Sequence, residues 1–185
     1  MGKSTTARMF AEEGCDVWDA DAAVHRLYQQ GGAAVEPMRA EFADAVIDGA
    51  VSRDRLKQII GGDASALNRI EQIVHPLVAR DRAEFISKST ADIVVLDIPL
   101  LFETGAEANM DAVVCVTVSP AEQQRRVLAR GTMTPEQFSA IRDKQMPNDE
   151  KCRRSDFVIE TDTLEHAHQQ VQDIVRQIKS RLIHA

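Results

Sequence analysis

Four residues at the start of the chain, Gly2-Lys3-Ser4-Thr5, have the types and order that phosphate chemistry needs. Gly-Lys-Ser/Thr opening a helix is the second half of the phosphate-binding loop GxxxxGK(S/T). In such a loop backbone N–H groups wrap the phosphates, the lysine reaches the β- and γ-phosphates, and the hydroxyl binds Mg²⁺. The loop's first glycine and the strand that feeds it do not precede Gly2 here. A chance helix start can carry the same letters, so residues further along the chain must decide.

Asp19 and Asp21 lie two apart at the end of a short apolar run, and in extended chain both carboxylates point to one side. Next to a phosphate loop, one could take the proton of an attacking hydroxyl while the other orients Mg²⁺ or its waters. The alternative is helix capping by Asp21, since Asp is a favoured cap. His75, before Pro76, could bind a substrate phosphate or hydroxyl, or be a boundary histidine satisfied by backbone. Glu103, after Pro99-Leu100-Leu101-Phe102, is a site carboxylate or an exposed cap. Residues 125–154 hold eight Lys/Arg against four Asp/Glu, within a chain of net charge −7. That excess, with Gly131 and Pro147 as hinges, suits a basic lid over triphosphate as well as it suits a solvated helix face.

The elements that must position these residues alternate between strand and helix. Residues 4–13 read as a helix stopped by Gly14, Cys15–Trp18 as a strand, and Val24, Leu27 and Tyr28 as one helix face ended by Gly31-Gly32. From about 33 to 88 the pattern is helical, punctuated at Asp48-Gly49 and Gly61-Gly62-Asp63, with Leu67, Ile70, Ile73 and Val74 on one face. Pro76 is expected to break that helix after His75 and start the next. Ile93–Leu96 and Ala112–Val118 read as strands buried on both faces. Ser119-Pro120-Ala121-Glu122 and Thr134-Pro135-Glu136-Gln137 are helix starts with capping boxes. Phe157–Ile159 is a last strand, and 164–183 a closing amphipathic helix. The order predicts an α/β fold with a parallel sheet, and ligands beyond the strand C-termini.

Composition limits the function classes. The chain's 185 residues fit one domain, and 44% hydrophobic with 28% charged residues is ordinary for a globular protein. No run approaches the ~18 apolar residues of a membrane span, and no signal-peptide core is present. Cys15, Cys115 and Cys152 lack metal-type spacing and are odd in number, which predicts a reduced, cytoplasmic chain. The acidic balance argues against nucleic-acid binding but allows a small anionic substrate at a local basic patch.

Taken in order, Gly2-Lys3-Ser4-Thr5, Asp19-Ala20-Asp21, His75-Pro76, Pro99-Leu100-Leu101-Phe102-Glu103, Arg130, Gln145-Met146, Lys151 and Asp156-Phe157-Val158-Ile159 resemble the dephospho-coenzyme A kinase family across nearly the whole chain. The resemblance implies transfer of phosphate from ATP to the ribose 3′-hydroxyl of dephospho-coenzyme A, the last step of coenzyme A synthesis. It implies a P-loop NTPase-type parallel sheet flanked by helices, with a core (1–27, 89–121 and 153–185), a helical substrate-binding part (28–88) and a lid (122–152). By position, Gly2 and Lys3 would contact phosphates, Ser4 would ligate Mg²⁺, and Thr5 would support the nucleotide. Asp21 would be the base, with Asp19 its competitor. His75 and Glu103 would face dephospho-coenzyme A, and Arg130 would reach ATP from the lid. The competing readings are another small P-loop nucleotide or metabolite kinase, or a catalytically incompetent chain.

The family pattern also implies a first strand and loop ahead of Gly2, the strand lying between those at 93–97 and 112–118. Unpaired backbone there would cost ~1–3 kcal/mol for each group left buried. The 185 residues alone are therefore expected to bind ATP poorly, and Met1 to lie inside a longer reading frame. The codons upstream of Met1 should encode an apolar strand and a Gly-rich loop. An in-frame stop immediately before Met1 would overturn this.

Overall fold

Apolar runs alternating with capped helical stretches give the expected α/β order. The structure, a computed structural model, describes residues 2–129 and 131–183. It falls into two units, one of residues up to Val17 and from Ala91 onward, the other Trp18–Thr90. No helix among the described residues is long and apolar enough to cross a membrane.

In the first unit, helix α1 (Lys3–Glu12) buries Thr6, Met9 and Phe10, and it stops where the Gly14 N–H returns to the Ala11 carbonyl at 3.0 Å. Strand β1 (Asp16–Asp19), whose last two residues belong to the second unit, starts here in a pairing with β4 (Val94–Asp97), the Asp16 N–H meeting the Ile93 carbonyl at 3.1 Å. Strands β5 (Val114–Thr117) and β6 (Phe157–Glu160) pair in parallel, Val114 opposite Phe157 and Thr117 opposite Glu160. The closing helix α9 (Leu164–Ile183) buries Ala167, Val171, Ile174 and Val175, the i, i+4, i+7, i+8 stripe of an amphipathic helix. They pack with Met9, Phe10, Cys15 and Ile159. Each large apolar side chain so buried stabilises the unit by ~1.5–3 kcal/mol.

Two expectations for this unit fail for identifiable reasons. Val94, Val95, Leu96, Val114 and Val116 are only partly buried rather than enclosed on both faces. β4 pairs only with β1, and β5 only with β6, so among the described residues no ladder joins β4 to β5 and each keeps an open edge. In α6 (Pro120–Leu128), Ser119 caps the Glu122 N–H at 3.4 Å and Pro120 takes the first turn. The Glu122 carboxylate, however, binds Arg125 and Arg126 instead of closing a capping box. The second start signal is realised in full: in α7 (Pro135–Arg142), Thr134 and Gln137 cap each other's N–H groups. A short helix α8 (Asn148–Arg154) leads into β6.

The second unit contains α2 (Ala20–Tyr28), α3 (Val35–Glu41), a hairpin of β2 (Val46–Ile47) and β3 (Ala50–Val51), α4 (Arg53–Gly62) and α5 (Ala66–Lys88). The hairpin replaces the expected helical run. Asp48-Gly49, both at positive φ (49° and 77°), makes the tight reversal that favours antiparallel pairing over a helix. Helix α5 also runs straight through Pro76. Proline forfeits one N–H bond, but Ile70 and Val74 are buried in the core of α2, α3 and α4, with Ile73, Leu77 and Val78 packed against it on both sides of the proline. His75 therefore sits in mid-helix on an exposed face, and Leu67 lies outside the core at 47% exposure.

Asp81 of α5 ties this unit together. Its carboxylate accepts the indole N–H of the buried Trp18 at 2.7 Å and the Arg26 guanidinium of α2 at 2.6 Å. Burial works against the charge, but hydrogen bonds from Arg26 and Trp18 outweigh it and hold the carboxyl below its ordinary 3.8. A carboxyl depressed in the fold stabilises above its unfolded pKa and loses that contribution as pH falls through the folded one. Asp81→Ala should lower stability by ~1–3 kcal/mol at neutral pH, read from urea midpoints. The gap to the parent should narrow below about pH 4. Equal midpoints at neutral pH, or a gap unchanged in acid, would count against this role.

Candidate functional site

Gly2 precedes the first turn of α1 with φ 93°, and its carbonyl accepts the Thr6 N–H at 2.9 Å. A Cβ there would stand 3.3 Å from Thr161 Cγ2 in a conformation L-residues resist, so this corner calls for glycine. Lys3 and Ser4 are exposed and Thr5 is half-buried, all in the first turn, where backbone N–H groups have no helical partner. Lys3 Nζ lies 2.5 Å from Asp97 Oδ1, with the aspartate side chain 4% exposed and the lysine 44%. Asp97 ends β4, so the pair joins the helix start to the strand end.

Beyond Asp97 the chain turns sharply. Leu100 takes φ 58°, a left-handed position that costs a non-glycine residue ~1–2 kcal/mol. Its carbonyl accepts both the N–H and the hydroxyl of Thr104 at 3.1 Å, which holds the turn. The turn delivers Glu103 to Lys151 Nζ at 2.7 Å and to the Met146 N–H at 3.0 Å, both charged side chains being under 20% exposed. Nearby, Arg154 pairs with Glu107 and stands 5.0 Å over the Phe102 ring. Burial alone would raise the Glu103 carboxyl, but the hydrogen bonds from Lys151 and from backbone N–H groups keep it below the ordinary 4.5.

In the other unit, Asp19 rather than Asp21 is the cap of α2, accepting the Ala22 N–H at 2.7 Å from an extended backbone. Asp21 stands in the first turn, exposed, its side chain with no hydrogen bond or ion pair among the described residues. His75 points from the exposed face of α5 rather than from a helix N-terminus. Thus Gly2, Lys3, Ser4 and Thr5 gather with Asp97, and Glu103 gathers with Lys151, while Asp19, Asp21 and His75 belong to the second unit. Arg130 lies outside the described residues.

The structure adds residues that the motifs did not single out. A cavity of about 380 Å³ opens beside Gly2 and Thr5, lined also by Arg126, Thr161 and Asp162. Arg126 closes one wall, donating to the Thr161 carbonyl at 2.7 Å, to its hydroxyl at 3.2 Å and to Glu122 at 2.6 Å. Hydrogen bonds from Arg125 and then Arg126 hold the Glu122 carboxyl down to about 2. Thr161 and Asp162 follow β6, so the rule that ligands sit beyond strand ends pointed to them. Much of the basic segment is locally neutralised: Arg142 meets Asp143, Arg153 meets Glu150 and Lys151 meets Glu103.

A Gly-Lys-Ser-Thr helix start paired to a buried strand-end aspartate in an α/β core defines the class, a P-loop kinase fold. The family model that matches residues 1–166 is that of dephospho-CoA kinase. A dephospho-CoA kinase of Ruegeria pomeroyi is 71% identical over 185 residues, covering 100% of this chain and 94% of that relative. One of Cereibacter sphaeroides is 54% identical over 179 residues, covering 97% and 91%. A crystal structure of a Thermus thermophilus protein is similar at TM-score 0.81 and 32% identity, over 95% of this chain and 91% of that one. A Campylobacter jejuni dephospho-CoA kinase, at 21% identity, shares the fold at TM-score 0.69 over 96% and 91%. The chain belongs to the dephospho-CoA kinase family. It is a nucleotide-binding transferase of coenzyme A synthesis.

Removing the lysine partner of Glu103 tests the electrostatics of this corner. Lys151→Met should raise the Glu103 pKa, followed by carboxyl-carbon NMR titration, and should cost about 1–2 kcal/mol of stability. An unmoved Glu103 titration would show that the backbone donors alone set it.

Proposed function

We propose that the protein transfers the γ-phosphoryl group of ATP to the ribose 3′-hydroxyl of dephospho-coenzyme A, with the phosphates held at Gly2-Lys3-Ser4-Thr5. The observation that carries this reading is the Lys3–Asp97 pair at the start of α1. Lys3 is half-exposed and can turn from Asp97 to the β- and γ-phosphates, while the first-turn N–H groups and the positive end of α1 receive them. The neighbouring cavity, with Arg126, Thr161 and Asp162 on its wall, suits the rest of the nucleotide.

Mg²⁺ fits the donors present. Ser4 offers a hydroxyl and Asp97 a buried carboxylate, hard oxygens of the kind that hold this ion together with substrate phosphates and water. When bound, it would neutralise charge building on the transferring phosphoryl group. Asp97, once Lys3 leaves, needs another cation beside it, so nucleotide and metal should bind in a coupled way.

Asp21 is the base in this reading. Asp19 is engaged as the α2 cap, whereas Asp21 is exposed and unengaged and can accept the hydroxyl proton. His75 and Glu103 contribute to dephospho-coenzyme A binding, and Arg130, outside the described residues, contributes to ATP binding. The chain is organised as a core (1–27, 89–121 and 153–185), a helical substrate-binding part (28–88) and a lid (122–152). Gly131 at φ 66° supports a hinge near the lid's middle, and the Glu103 grip on Met146 and Lys151 supports a fixed C-terminal end. Three free thiols suit a cytoplasmic setting.

The test is ATP consumption by the purified protein with dephospho-coenzyme A and, in parallel, nucleoside monophosphates. Turnover is expected with the former alone, and none with it refutes the reading. Asp21→Asn should lower kcat about 10²–10⁴-fold with nucleotide affinity kept. A larger loss from Asp19→Asn would transfer the base to Asp19.

A further inference from the structure

Two of the three cysteines meet. Cys115, buried in β5, has its Sγ 3.6 Å from the Sγ of Cys152, which is partly exposed on α8. Both are free thiols, and Cys15 is buried elsewhere, in the core of α1 and α9. Asn148, one turn before Cys152, donates to Thr117 Oγ1 at 2.7 Å and stands 3.8 Å from Cys152 Sγ. Helix α8 is thus laid along β5 with the two sulfurs facing each other.

We propose that Cys115 and Cys152 form a thiol–disulfide site, oxidised reversibly by low-molecular-weight disulfides. Cys152, the accessible thiol, attacks as thiolate one sulfur of the small disulfide R–S–S–R. The R–S–S–R bond breaks, a Cys152–S–S–R mixed disulfide forms, and RS⁻ leaves. Cys115 then attacks the Cys152 sulfur, its proton passes to the second departing RS⁻, and the Cys115–Cys152 bond closes. Two protein thiols are oxidised and one small disulfide is reduced to two thiols, so electrons and protons balance.

Burial shapes the order of these events. Burial, then the hydrogen bond with Cys152, push the Cys115 thiol up to about 12, so Cys115 is a poor first nucleophile. Cys152 is the thiol that faces it. Closing the pair requires the sulfurs to approach by about 1.5 Å. β5 is held along its length by β6, so the movement falls to the seven-residue α8. That helix also carries Lys151, the partner of Glu103, which places the oxidisable pair next to a residue of the candidate site. Disulfides in reducing compartments are usually transient or sensing ones, which suits this geometry.

The experiment is to incubate the purified chain with oxidised glutathione, block remaining thiols by alkylation, and map peptides without reduction. A peptide joining Cys115 to Cys152 is expected, with Cys15 still alkylated and the link lost on adding dithiothreitol. Cys152→Ser should abolish the link and leave Cys115 unmodified, while Cys115→Ser should stop at glutathionylated Cys152. If the parent chain stops at the mixed disulfide, links through Cys15 instead, or does not react at Cys152, the proposal fails. The Cys152→Ser arm stays decisive even if replacing the buried Cys115 impairs folding.

Discussion

A carboxylate taken out of water must keep a cation beside it, and Asp97 is such a carboxylate. Leaving it unpaired would cost several kcal/mol, a large part of a typical domain's net stability. Lys3 meets that need at 2.5 Å while remaining 44% exposed itself. The pair registers the first turn of α1 against the end of β4, and it thereby fixes where unpaired N–H groups are presented. In the proposed function the same need would make the site responsive, because a lysine drawn to phosphate would leave behind an anion ready for a different cation. In the proposed function, stability and phosphate handling would rest on one contact.

Elements with a strong local signature were legible in the sequence. Helix α9 followed from its apolar stripe, α7 from Thr134-Pro135-Glu136-Gln137, and the end of α1 from Gly14. What local pattern could not show was competition between neighbours. Glu122 had the right place for a capping box, but two arginines on its own helix took it. Pro76 had a breaker's chemistry, but the packing of α5 on both sides of it carried the helix through. Asp48-Gly49 between Val46-Ile47 and Ala50-Val51 was a readable hairpin signal, obscured by the helical sequence around it.

The candidate site shows the same division. Gly2, Lys3, Ser4 and Thr5 could be named from a short motif because their role depends on one helix start. Asp97 could be placed at a strand end beside Glu103, but not paired, since its partner is a lysine more than ninety residues away in sequence. Thr161 and Asp162 carry no motif, and Arg126 was one cation within a basic run. Only the fold brings them around one cavity. Asp19 and Asp21 were indistinguishable by spacing, and the capping bond to Ala22 separates them.

The open edges of β4 and β5 bear on how copies of this chain behave together. Among the described residues each pairs on one side only, with half-buried Val94, Val95, Leu96, Val114 and Val116 alongside. Such an edge is a template for another strand, and proteins that lack a covering element tend to self-associate through it. The net charge of −7 holds copies apart at low ionic strength. Salt shortens the reach of that repulsion to about 8–10 Å near physiological strength, while strand pairing acts at contact. Repulsion between like-charged copies and pairing at a strand edge therefore respond oppositely to salt, and self-association through such an edge should rise as salt is added.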